Sequence, residues 1–88
     1  MLNFTTIKDV KNSIGAWCKK MRKAEHLTQQ ELADELALSR LTIAKLENGE
    51  NPTIETLLKV LQYFDEMKSI NQFVSDKIEN LDNNQSMY

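Results

Sequence analysis

The chain has 88 residues, 41% hydrophobic, with 11 Lys/Arg against 13 Asp/Glu and a net charge of −2; this size holds one domain with a modest core. Two glycines and one proline favour an all-α chain, no run approaches the roughly 18 consecutive apolar residues of a membrane span, and no signal-peptide pattern opens the sequence. The single cysteine excludes an internal disulfide and fits a cytoplasmic location, while one histidine and no Gly-rich phosphate loop or paired metal motif speak against an enzyme, a metal centre or a cofactor.

In chain order, residues 1–5 read as an extended arm, and Thr6 with Asp9 reads as a helix start. Ile7, Val10, Ile14, Cys18 and Met21 follow at helical spacing, with Trp17 beside them. Asn12, Ser13 and Gly15 are poor helix formers, so this segment is one long helix or a short one followed by a break. Cys18 is expected in the core, as free cysteines usually are; Trp17 is expected to pack, and Lys19, Lys20 and Lys23 to form a solvated face. His26 has no second ligand nearby and reads as a helix-end residue facing the dipole.

Thr28 and Glu31 form a capping-box signature, and Leu32, Ala33 and Leu36 make the apolar stripe of the helix it opens. Ala37 and Leu38 then turn the chain. Ser39 is placed to cap a second helix that runs to about Asn48, where Gly49 supplies the left-handed stop. On a wheel of 100° per residue, Ile43 and Leu46 face the protein. Arg40, Leu41, Ala44, Lys45 and Asn48 share an outward arc of roughly 140°. Arginine and lysine can donate to guanine O6 and N7, and small apolar groups can meet a thymine methyl, so this arc suits a DNA major groove.

Beyond the Glu50–Asn51–Pro52 loop, Thr53 caps a fourth helix with Ile54, Leu57, Leu58, Leu61 and Phe64 as its expected buried stripe. Ser69 with Gln72 is placed to start a fifth, in which Ile70 and Phe73 are expected to face inward. Val74, Ile78 and Leu81 are the candidates for a surface where two copies meet. The domain is thus expected over residues 13–81, with 1–12 as arm and helix lead-in and a flexible polar tail over 82–88. Charge divides unevenly: residues 1–48 carry eight Lys/Arg against six acids, and residues 49–88 carry three against seven. So small a basic surplus predicts limited non-specific attraction to DNA and an affinity that depends on dimerisation.

The residues Ile14–Gly15, Arg22, Leu27–Thr28–Gln29, Leu32–Ala33, Ser39, Thr42–Ile43, Leu46–Glu47–Asn48–Gly49 and Pro52 to Leu58 stand in fixed register. In them the chain resembles the Cro/repressor-type, or XRE-like, helix-turn-helix family. It departs from the family at Ala37, where glycine is usual, at His26, where glycine or asparagine is common, and at Cys18, which replaces a branched aliphatic residue. The resemblance implies a five-helix, lambda-repressor-like fold and a structural ion pair between Arg22 and Glu47. It also implies DNA-backbone contacts by Thr28, Gln29, Ser39, Thr42 and Asn48, with Arg40, Leu41, Ala44 and Lys45 as base readers. Helix N-termini bind phosphate through free N–H groups, which supports the first group.

The function this implies is a sequence-specific regulator of transcription that binds a pseudo-palindromic double-stranded operator as a homodimer, with no membrane partner. With no ligand domain in 88 residues, control would come from concentration, degradation or a protein partner. More weakly, the IKDV leader, the Arg22 region and the stretch from Leu57 to Phe73 resemble HipB-type antitoxins. That implies autorepression and binding of a HipA-like toxin kinase. A controller of a restriction-modification operon and a phage Cro-like repressor share the plan, and the acidic C-terminal half leaves open a protein-interaction module without its own DNA specificity.

Overall fold

Four of the five helices open on a hydroxyl side chain that caps the first turn, and this local chemistry sets the element boundaries. The structure, a computed structural model describing residues 4–86, holds α1 (Ile7–Ala24), α2 (Gln29–Glu35), α3 (Arg40–Glu47), α4 (Ile54–Tyr63) and α5 (Met67–Ser86), with no strand among the described residues. Thr6, Thr28, Ser39 and Thr53 each accept the N–H three residues on, and Thr6/Asp9 and Thr28/Glu31 form reciprocal capping boxes. The all-α reading holds.

The same four helices stop alike. His26, Ala37, Gly49 and Asp65 take positive φ values of 59°, 54°, 74° and 60°. At each stop the residue after the left-handed one donates its N–H to an orphan carbonyl of the last turn: Leu27 to Arg22, Leu38 to Ala33, Glu50 to Lys45 and Glu66 to Leu61. These are Schellman closures, and one of the four uses glycine. His26 therefore serves through its backbone conformation, a role separate from any interaction of its imidazole with the helix dipole.

The core is built around α3, which packs on both α1 and α2. Cys18, Leu32, Ala33, Ile43, Leu46 and Val60 form the buried cluster, with Ile14, Met21, Leu36, Leu38, Leu57 and Phe64 packed against it. Burial, then the charge of Glu47, pushes the Cys18 thiol up to about 11, so it stays a neutral core group. Gly15 explains itself here. A Cβ on it would lie 2.5 Å from the Glu47 carbonyl oxygen and 2.7 Å from that of Leu46. The glycine lets α1 touch the C-terminal end of α3; it does not break α1, which is one continuous helix of 18 residues.

Several expected stripes are displaced. Ile7 is 77% exposed and Ile54 76%, so the apolar positions that open α1 and α4 are not buried; Val10 is exposed as well. In α4 the buried positions are Val60 and Leu61, so the core-facing stripe runs through 57, 60, 61 and 64. Trp17, 37% exposed, sits outside the core cluster. Helix α5 starts two residues before Ser69 and continues through residues 82–86 of the expected tail. Its Phe73 is 60% exposed and not inward-facing, because α5 has its main contact with α4 alone. Helix α1 likewise runs through position 12 without a boundary; residues 1–3 of the expected arm and 87–88 of the expected tail lie outside the described residues.

A buried ion pair ties the first helix to the third. Arg22 Nε donates to Glu47 Oε2 at 2.7 Å and Nη2 to Oε1 at 2.9 Å, while Nη1 donates to the Leu27 carbonyl at 2.7 Å. The side chains are only 8% and 2% exposed. Hydrogen bonding to Glu47 raises the pKa of Arg22 above its ordinary value, outweighing the opposing effect of burial. No buried side-chain polar atom among the described residues lacks a partner.

Two sets of variants test this account by urea unfolding. Gly15→Ala should cost about 1–3 kcal/mol through overpacking against α3, despite alanine's better helix propensity, whereas Ala37→Gly should stabilise by about 1 kcal/mol by relieving a left-handed alanine. Arg22→Ala and Glu47→Ala should each cost about 3–5 kcal/mol by stranding a buried charge, and Arg22→Met with Glu47→Leu should cost less than either single change.

Candidate nucleic-acid interface

Helix α3 buries Ile43, Leu46 and Glu47, and that anchoring determines what it turns outward. Arg40, Leu41, Lys45 and Asn48 are exposed on the opposite side, and Ala44 is half-buried between them. The five residues of the predicted arc thus lie on one surface. Leu41 is a large apolar side chain left in water on a helix that otherwise buries such groups. Among the described residues no ion pair engages Arg40 or Lys45, so both charges stay available to a ligand.

The start of α3 is arranged for a short, polar approach. The Ser39 hydroxyl accepts the Thr42 N–H at 3.0 Å and lies 2.8 Å from the Thr42 hydroxyl. The first turn of α3 contains no acid, which leaves its positive dipole end unopposed. The start of α2 differs. The Thr28 N–H is already given to Glu31 Oε1 at 2.9 Å, and Glu31 supplies a negative charge in the first turn. Of the two helix starts in the motif, that of α3 is therefore the better suited to an anion.

Gln29, the first residue of α2 and an expected DNA-backbone contact, also has a structural position that its sequence does not announce. Its Nε2 donates to Glu47 Oε1 at 3.1 Å, and its Oε1 accepts from Arg40 Nη1 at 3.3 Å. The amide therefore spans from the buried ion pair to the first residue of the outward helix. Spacing could not reveal this, because the three residues belong to three turns of two helices. Thr28 caps the start of α2, Ser39 and Thr42 lie at the start of α3 and Asn48 caps its far end; Thr28, Ser39 and Asn48 are exposed and Thr42 is half-buried.

Val74, Ile78 and Leu81 are all exposed on α5, apart from this surface in the chain. With Met67 and Ile70 they repeat at intervals of three and four along one helix face. The dimensions of the molecule, 52 × 27 × 21 Å, are those of a domain with a projecting element, and at 1.5 Å per residue the 20 residues of α5 extend about 30 Å. Among the described residues there is no cluster of ligands able to hold a metal ion, and no helix is long and apolar enough to cross a membrane.

Two comparisons place this architecture. The family described as helix-turn-helix matches residues 19–66, from the middle of α1 to the loop before α5. The chain is also 41% identical over 51 residues to a protein of Methanocella arvoryzae named "Putative HTH-type transcriptional regulatory protein". That alignment covers 58% of this chain but 16% of the relative, so the likeness is to one segment of a much longer protein. With two capped helices, a short left-handed turn between them and a family match over more than half its length, the chain belongs to the XRE-type helix-turn-helix family.

Proposed function

We propose that this protein is a sequence-specific double-stranded DNA-binding regulator of transcription that works as a homodimer. The observation that carries the reading is the outward face of α3: two cations in no ion pair among the described residues, an exposed leucine and an amide on a short helix braced from behind by a buried ion pair. Arg40 and Lys45 are the donors for guanine edges, and Leu41 and Ala44 the apolar contacts for thymine methyls. Ser39, Thr42, Asn48, Thr28 and the remaining amide N–H of Gln29 are the groups for the phosphate backbone, which positions the protein without specifying sequence. Dimerisation supplies what a weakly charged monomer lacks. Val74, Ile78 and Leu81 on the uncovered face of α5 are its proposed surface, and two-fold symmetry would set half-sites about one turn, roughly 34 Å, apart.

Within this reading we favour autorepression, with a HipA-like toxin kinase as a protein partner; the support is the sequence resemblance of the leader and of the stretch from Leu57 to Phe73. Control of a restriction-modification operon or a Cro-like phage switch is the alternative for the same DNA-binding surface. A protein-interaction module without DNA specificity is favoured by one observation, the exposed apolar length of α5.

Fluorescence anisotropy on duplex from upstream of the gene, against a scrambled duplex at two salt concentrations, separates these. The expected result is upstream-specific binding with two chains per site, weakened by about 1–3 kcal/mol in each of Arg40→Ala and Lys45→Ala. Equal binding to both duplexes that vanishes with salt would leave only phosphate attraction and favour the interaction module.

A further inference from the structure

The fold leaves two apolar surfaces of the chain in water, and their shapes are complementary. The first is a cleft of about 220 Å³ between the start of α1 and the start of α4, lined by Lys11, Ile14, Pro52, Thr53, Ile54 and Leu57. Ile7 lies one turn before Lys11 on the same side of α1, and Ile7 and Ile54 are both exposed. The second is the face of α5 that carries Ile70, Val74, Ile78 and Leu81, spaced like one half of a helix pair. Helix α5 leaves from the other end of α4, and every residue from Asn71 to Asn84 is exposed. It therefore does not fill the cleft of its own chain.

Charge matches the two surfaces as well. Lys8 and Lys11 flank the cleft on α1, and the carboxylate of Asp9 between them is engaged in the capping box. Glu55 on α4 is the opposing acid beside Ile54. On α5 the Lys77 ammonium lies over the Phe73 ring, 5.4 Å from its centroid, which draws it to one side of the apolar face. Asp76, Glu79 and Asp82 make the far half of that helix acidic. We propose that the homodimer is reciprocal: α5 of each protomer lays its face of Val74, Ile78 and Leu81 into the α1–α4 cleft of the other. The inference rests on the dimer reading and names what the α5 face meets. A two-fold exchange makes the same contact twice, whereas α5 against α5 would bury one narrow stripe and leave both clefts in water. Stable interfaces bury about 1,200–2,000 Å² in total, which two helix-in-groove contacts approach more readily than one stripe.

Sedimentation velocity on the full chain tests this with two substitutions at exposed positions, Ile54→Asp in the cleft and Ile78→Asp on α5. Ile54 is the first residue of α4, where an aspartate suits the helix dipole; circular dichroism and urea unfolding check that both variants fold. Each change should raise the dimer dissociation constant about tenfold or more, since each removes a buried isoleucine from both contacts. Mixed in equal amounts, the two variants should form a heterodimer tighter than either homodimer. The cleft of the Ile78→Asp chain and α5 of the Ile54→Asp chain then restore one intact contact. Weakening by Ile78→Asp alone, with Ile54→Asp as dimeric as the wild type, would overturn the exchange in favour of α5 pairing with α5. A dimer that tolerates Ile78→Asp, or a mixture no tighter than its components, would overturn it too. A wild-type chain that stays monomeric at every concentration would instead sink the dimer reading itself.

Discussion

A guanidinium and a carboxylate buried together at the back of α3 govern much of this small domain. Arg22 and Glu47 are 25 positions apart, and their contact locks the end of α1 to the end of α3. Arg22 also holds the Leu27 carbonyl, so the turn leading into α2 is fixed by the same side chain. Burial makes the charges costly to separate, and the two-pronged geometry makes the pair directional. Gly15 adds a second constraint at the same junction by letting the α1 backbone approach the α3 carbonyls. Together they leave α3 with one face to bury and one to show.

That division explains how a chain with a net charge of −2 can still expose two cations together on α3. The acids of the first half are largely engaged: Asp9 and Glu31 in capping boxes, Glu47 in the core, Asp34 with Gln30. Arg40 and Lys45 have no such carboxylate partners among the described residues and project from α3. The acidic excess lies after Gly49, on the half that carries the exposed apolar groups of the proposed dimer surface. Recognition of nucleic acid and of protein would then occupy different elements of the same 88 residues.

Much of this is legible in the sequence where the signal is local. Thr6 with Asp9, Thr28 with Glu31, Ser39 and Thr53 mark helix starts because a capping hydroxyl and its target are three residues apart. The wheel of α3 separates Ile43 and Leu46 from Arg40, Leu41 and Lys45 because a short helix packed on one side has an unambiguous phase. Periodicity is a poorer guide at Ile7, Ile54 and Phe73. It identifies an apolar face, but burial depends on whether another element covers that face. Gly15 looks like a helix breaker because its use lies in α3, far away in sequence. His26 and Asp65 hide two helix stops, since residues other than glycine can adopt the left-handed conformation at a moderate cost. The bridging role of Gln29 depends on three side chains converging in space, and no spacing rule encodes it.

On the proposed function, the outward face of α3 lies in the major groove, presented twice by a two-fold dimer. Dimethyl sulfate protection of guanine N7 on DNA from upstream of the gene tests it most directly, because N7 is exposed only in that groove. Two protected clusters are expected, one helical turn or roughly 34 Å apart, with one guanine in each losing protection in Arg40→Ala. Binding that leaves every N7 open to methylation, or protection unaffected by Arg40→Ala, would contradict it.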